Sequence, residues 1–137
     1  MWQLEDLTGG KIKELLVAEK QSDAKSGSKA LHYWSDTNIN FKASQKITGL
    51  KSGKYKASVF VHGGDGGKRE SQNVFLFVKT SSGEYTQKTF TDGWRVFFNP
   101  VIQDIVVGPD GTAVIGVQAE LPAGAWGSFD DFVLTPQ

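Results

Sequence analysis

The chain of 137 residues contains no cysteine. That absence removes disulfides, thiolate nucleophiles and sulfur-ligated zinc together, leaves the redox compartment open, and obliges the chain to find its stability in packing. Histidine is nearly missing as well. His32 and His62 are the only two, so a His-rich metal centre or a Ser-His-acid triad would have to rest on one of them with partners the sequence does not mark. Excess charge of either sign is also lacking. Fifteen Lys and Arg balance fifteen Asp and Glu, and with no net field toward phosphate backbones or anionic lipid, neither nucleic acid nor a membrane is an expected partner. No apolar run approaches the roughly 20 residues of a membrane span, and the opening "MWQLEDLTGG" lacks the basic and apolar regions of a signal peptide. With Met1 directly before Trp2, this start is compatible with a fragment of a longer secreted protein.

The familiar catalytic motifs are missing too. The stretch "HGGDGGKRE" at 62–70 is glycine-rich, but a phosphate loop needs Gly where His62 stands and Ser or Thr where Arg69 stands. There is no G-x-S-x-G elbow for a serine hydrolase. Asp130 and Asp131 are adjacent carboxylates, yet neighbours on a strand face opposite sides and would not flank one glycosidic bond. Two readings of this pair stay open. Either one residue orders the strand end while the other is solvated, or Asp130 ligates a structural calcium with carbonyls from loop 23–29. Nothing here predicts an enzyme.

What is present is a β pattern. The 39% apolar content suffices for one core in a single domain spanning 1–137. Two-residue alternation in short runs predicts strands near 12–18, 30–36, 39–48, 54–62, 73–79, 84–90, 94–99, 102–107, 112–120 and 128–134. The first of these also fits a helical spacing at Ile12, Leu15, Leu16 and Glu19, and is read as a strand. Glycines in "LKSGK" (50–54), "TSSGE" (80–84) and "GPDGT" (108–112) stand where hairpin turns need positive φ, and "SDAKSGSKA" (22–30) reads as a polar loop. About ten short strands imply an all-β antiparallel sandwich or jelly roll.

Alternation also sorts the faces. In "YKASVFVH" the set Tyr55, Ala57, Val59 and Val61 is expected to face inward, leaving Lys56, Ser58, Phe60 and His62 on the other side. In "ALHYWSD" Leu31 and Tyr33 face inward, and His32 and Trp34 outward. Aromatic residues make up 12% of the chain, and Trp34, Trp94 and Trp126 all fall near strand ends. Trp94 precedes the apolar "VFF" and by itself reads as a core residue. Trp126 differs, because Gly124, Ala125 and Gly127 offer no bulk to cover its ring. An exposed indole among short polar side chains suits a sugar, whose C–H face stacks on the ring while its hydroxyls exchange hydrogen bonds around the rim.

Three ordered motifs then carry a resemblance: "ALHYWSDTNINFKASQKITGLKSGKYKASVFVHGGDGG", "DGWRVFFNPVIQDIVV" and "GAWGSFDDFVL". Over roughly residues 25–135 the chain resembles the family 61 carbohydrate-binding modules attached to bacterial endo-β-1,4-galactanases. The resemblance implies a galactose-binding-domain-like β-sandwich without catalytic power. Such a module is extracellular and monomeric, and holds a covalently linked catalytic domain on β-1,4-galactan, the galactose side chains of pectin. Matched by position, the candidate sugar-binding residues are Trp34, His62, Gly64, Asp65, Trp94, Asn99, Gln103 and Trp126. No cofactor is implied for binding. A structural calcium at Asp130 is compatible with the resemblance, although the family's Asn-Pro-Gly-Phe-Glu opening is absent and Glu5 is a doubtful substitute for its glutamate. Xylan, an arabinogalactan side chain, or a protein partner for the exposed aromatics are the alternative ligands of the same sandwich.

Overall fold

Among the described residues the chain forms eleven strands arranged in two sheets, every pairing antiparallel. The computed structural model describes residues 2–19, 29–68 and 71–137. The first sheet runs β1 (Trp2–Asp6), β4 (Ile39–Ile47), β10 (Ala113–Leu121), β6 (Asn73–Thr80), β7 (Gly83–Thr89). The second runs β2 (Glu14–Glu19), β3 (Lys29–Trp34), β11 (Trp126–Pro136), β5 (Gly53–Gly64). Beyond β5, β8 (Gly93–Phe98) pairs with its end and β9 (Val101–Val107) with its beginning.

The expected inward faces meet between the sheets. Leu31, Tyr33, Ala57, Val59, Val61 and Phe129 of the second sheet pack against Ile39, Phe41, Leu76, Val78, Ile115 and Val117 of the first. At the centre the rings of Tyr33, Phe41 and Phe129 lie 5.3–6.3 Å apart in tilted and edge-on contacts, which is the spacing aromatic quadrupoles favour. Burial pushes the Tyr33 phenol well above its ordinary pKa.

Several sequence expectations change. Strand β1 was not anticipated: Leu4 and Leu7 are exposed, so its apolar pattern is faint, and backbone pairing with β4 makes it a strand. Gly53, Gly83 and Gly111 do have positive φ, but only 80–84 closes a hairpin between paired strands. Residues 50–54 and 108–112 cross from one sheet to the other, since a turn residue reports local φ and not the partner of the next strand. Residues 22–28 of the expected polar loop lie outside the described residues, while Lys29 and Ala30 belong to β3.

The segment between β1 and β2 is tied down by one carboxylate. The Thr8 amide and hydroxyl donate to Asp6 Oδ1 at 2.8 and 2.5 Å, and the Ile12 amide donates to Oδ2 at 3.1 Å. Partial burial opposes ionisation of Asp6, but these bonds, with one from the Gly10 amide, outweigh it and hold the carboxyl below its ordinary pKa of 3.8. A carboxyl depressed in the folded state stabilises fully above its unfolded pKa, and that contribution fades as pH falls through the lower folded value. A carbon-detected pH titration should therefore place the Asp6 midpoint below 3.8, and Asp6→Asn should remove this part of the acid sensitivity of unfolding. A midpoint at or above the ordinary value would contradict the geometry.

Candidate functional site

Three strand ends converge at one edge of the second sheet. Trp34 ends β3, Trp126 begins β11 and Gly64 ends β5, and the register sets Glu14, Trp34, Trp126 and Gly64 side by side across four strands. Residues level with one another in a sheet share a face, and this face looks away from the core. The expectation that β11 starts near 128 is thus corrected. Pairing with both Trp34 and Gly64 brings Trp126 into the strand, although its glycine neighbours suggested a loop.

Trp126 lies down across bare backbone. A Cβ built on Gly64 would stand 2.7 Å from its Cζ2 and 3.0 Å from its Cε2, so the ring occupies the volume a side chain would need. One built on Gly63 would meet the Trp126 carbonyl oxygen at 2.3 Å and Gly127 Cα at 2.9 Å. These glycines are a bed for an indole and for close strand approach; they cradle no phosphate. The indole Nε1 donates to Asp65 Oδ2 at 3.1 Å. Asp65 itself takes a left-handed φ of 56°, a conformation Asp tolerates better than most residues. The result is a half-buried ring with one open side, next to Trp34, which is 37% exposed.

Neighbouring loops hold both indoles in place. The Gly124 amide donates to the Ser35 carbonyl at 2.8 Å, and the Ser35 hydroxyl reaches Thr37 Oγ1 at 2.8 Å. Buried Gln72 staples the loop after β5: its Nε2 donates to the Gly67 and Thr91 carbonyls, each at 3.0 Å, and its Oε1 accepts the Thr91 amide at 2.8 Å. Sequence reading passed over Gln72, because an isolated glutamine carries no local signal of burial.

Both histidines lie on the outer face as expected, yet both are buried. His62 is 0% exposed, with the Phe97 ring centred 4.8 Å away and Trp126 edge-on at 6.2 Å. It packs beside the platform and, being buried, does not present itself to a ligand. His32 lies between Glu14 Oε2, 3.0 Å from Nε2, and Ser128 Oγ, 3.4 Å from Nδ1. That order of acid, imidazole and hydroxyl resembles a hydrolytic triad, but Ser128 is sealed within the sheet and offers a substrate carbonyl no approach. Here the chain ties β2, β3 and β11 together.

The remaining candidates are spread out. Trp94 is the second residue of β8, and the Gly93–Gly63 pairing brings its backbone beside the same edge. Asn99 is exposed in the turn between β8 and β9, below Val61 along β5. Gln103 is exposed in the β9 irregularity opposite Lys56, eight positions along β5 from Gly64. At about 3.3 Å per residue that is roughly 26 Å, too far to share one sugar ring with Trp126. Asp130 stands where β11 changes register, and Asp131 has a φ of 53°. Strict alternation therefore fails at this pair, and the argument that placed the two on opposite faces does not hold locally.

A calcium set is not assembled among the described residues. No group of three or more His, Asp or Glu side chains is placed to hold a metal there, and Glu5 lies on the edge strand of the first sheet opposite Lys42, away from Asp130 in the second. Residues 23–28, read as carbonyl donors, lie outside the described residues.

An aromatic platform on a sheet face, rimmed by a carboxylate and backed by buried aromatics, suits a sugar. No protein-family model matches the chain, and no curated protein does. Among solved structures, a family 61 carbohydrate-binding module in complex with β-1,4-galactotriose is 29% identical, covering 99% of this chain and 88% of that one at a TM-score of 0.81. The xylan-binding family 22 domain of Paenibacillus barcinonensis Xyn10C shares the fold at 14% identity, covering 98% and 84% at a TM-score of 0.58. Tailspike protein 4 of bacteriophage CBA120 shares it at 12% identity, covering 98% and 19% at 0.63. Fold, platform and the first likeness define the chain as a non-catalytic carbohydrate-binding module. More particularly, it is similar along nearly its whole length to a family 61 module.

Gly64→Ala tests the indole bed. The added methyl must displace Trp126, breaking the Asp65 bond and costing about 1–3 kcal/mol. A shifted tryptophan emission maximum and a lower denaturation midpoint are expected; an unchanged emission spectrum would show that the ring does not lie on this glycine.

Proposed function

We propose that this module binds β-1,4-linked galactan through the Trp34–Trp126 surface and, as part of a larger secreted protein, holds a linked glycoside hydrolase on that polysaccharide. The likeness to a module solved with β-1,4-galactotriose is the observation that carries this reading. The platform supports it physically. Trp34 offers an open indole and Trp126 a half-covered one, and the pair is flanked by Asp65 on the Trp126 side and by Glu14, level with Trp34, on the other. Asp65 uses Oδ2 on the indole, which leaves Oδ1 to accept a sugar hydroxyl. The backbone of β8 at Trp94 runs beside the same sheet edge.

Discrimination follows from the 4-hydroxyl, axial in galactose and equatorial in glucose. A partner placed for the axial group is left unpaired by the glucose epimer, at a cost of about 1–3 kcal/mol. A balanced charge of fifteen against fifteen suits a neutral glycan, and a shallow platform with two or three rings keeps affinity modest.

Calorimetric titration with β-1,4-galactotriose, xylotriose and cellotriose tests the reading. Heat is expected with galactotriose, weaker by at least tenfold with cellotriose, and both Trp34→Ala and Trp126→Ala should cost at least about 1.4 kcal/mol, a tenfold loss. Binding of xylotriose but not galactotriose would replace the ligand. Silence with every saccharide, together with a complex or dimer on size exclusion, would favour a protein partner.

A further inference from the structure

The outer face of the first sheet, on the far side of the sandwich from Trp126, carries a second array of hydrogen-bonding side chains. Asn40 of β4, Glu120 of β10 and Asn73 of β6 are paired directly across the sheet and form one transverse row. Asn40 Nδ2 donates to Glu120 Oε2 at 3.5 Å and Asn73 Nδ2 to Oε1 at 3.4 Å. Bonds of that length orient the three groups while leaving donor and acceptor capacity open. Asn40 Oδ1 is shielded and has no hydrogen-bond partner among the described residues. The next row on the same face brings Gln118 beside Phe75.

The row beyond Gln118 and Phe75 is closed by packing. Gly116 follows Gln118 on the same side, and a Cβ there would meet Phe77 Cζ at 2.8 Å. The missing side chain lets Phe77 sink against the sheet, and the Lys42 ammonium covers its ring at 5.2 Å. At the other end exposed Leu7 forms a lip, its amide donating to the Asn40 carbonyl at 2.8 Å. Two adjoining hollows of 490 and 370 Å³ share Leu7, Asn40, Asn73 and Glu120, and the second reaches Gln118 and Phe75. Both volumes fall in the range of small-ligand sites.

The side chains choose the ligand class. Three primary amides and one carboxylate exchange both kinds of hydrogen bond with vicinal hydroxyls, and Leu7 with Phe75 offers apolar surface to C–H groups. A single carboxylate flanked by amides is a poor cation site, and the described residues hold no metal-ligating cluster. Lys42 spends its ammonium on Phe77 and Lys88 lies 5.8 Å from the Phe90 ring, and among the described residues no cationic side chain lines the hollows.

We propose that this groove is a second saccharide-binding site, taking a neutral glycan segment independently of the Trp34–Trp126 surface. Only the ligand class rests on the galactan reading. With sites on opposite faces, one module engages two stretches of polysaccharide and gains avidity on a dense substrate without any new contact.

Isotope-edited NMR with β-1,4-galactotriose as the probe separates the sites. In Trp34→Ala/Trp126→Ala, the amides of Asn73, Gln118 and Glu120 are expected to shift and saturate with a Kd within twofold of their wild-type value. In Glu120→Ala/Asn73→Ala those shifts should weaken at least tenfold while Trp126 titrates as before; Gln118→Ala, a half-buried surface position, repeats the test if the double variant loses its dispersed spectrum. Silence on β4, β6 and β10 at millimolar sugar, with Trp126 titrating, overturns the second site and leaves the galactan reading standing. Silence in both regions overturns both. Shifts on the first sheet alone support the groove and remove the tryptophan platform.

Discussion

Much of this molecule's exposed chemistry depends on one contact: an indole packed against a peptide that has no side chain. Trp126 needs a bed because its strand neighbours are small, and Gly64 supplies it one strand away. Once the ring lies there, its N–H emerges at the rim, where Asp65 accepts it. Without that bond the donor would face partial burial unpaired, at a cost of about 1–3 kcal/mol. Around the ring, the close approach of β11 keeps Gly63 bare, Asp65 takes a left-handed backbone and Gln72 pins the following loop. Each is a local oddity alone, and together they hold one aromatic face at a fixed height above the sheet.

Fixing that face has an energetic purpose. A shallow surface makes few contacts with a sugar, so the cost of ordering side chains on binding must be small for any affinity to remain. Here the ordering is done during folding. His62, itself packed on Phe97, sits edge-on beside Trp126, and the Glu14–His32–Ser128 chain locks the strands next to Trp34. The outer face of the second sheet is therefore a thin second core, which explains how histidines on the solvent side come to be buried. The first sheet follows a different plan. Its outer face uses glycine and lysine to lower and cover Phe77, and beyond that ring a trough is lined by amides in place of a raised platform.

The sandwich was legible in the sequence because alternation is a direct consequence of strand geometry. Tyr55, Ala57, Val59 and Val61 face the core, as that period requires. Pairing across sequence distance was not legible. Nothing local tells Gly53 that its strand joins the other sheet, or tells Trp126 that Trp34 and Gly64 are its neighbours. For the same reason the candidates Trp34, Gly64, Asp65 and Trp126 come together, while Gln103, in a motif that looked equally suitable, stands far down β5. The pair Asp130 and Asp131 shows the limit of periodicity itself, since a register change breaks the alternation that a short window assumes. Burial of His32 and His62 escaped notice because facing away from one core does not exclude cover from other aromatics.

Balanced charge acquires a meaning beyond exclusion when set against these surfaces. Neutral hydroxyls are recognised by short-range hydrogen bonds and ring contacts, neither of which gains from a long-range field, so a net charge would add only non-specific attraction to other polymers. The carboxylates at the two proposed sites, Asp65 and Glu120, each already accept hydrogen bonds from the protein, one from an indole and the other from two amides. Those bonds spread the negative charge and fix the orientation of the oxygens that remain. A carboxylate held this way is a directional acceptor more than a free charge, and direction is what separates an axial hydroxyl from an equatorial one. At the two proposed sites the groups that aim these acceptors are Trp126 on its Gly64 bed on one face and Asn40 and Asn73 on the other.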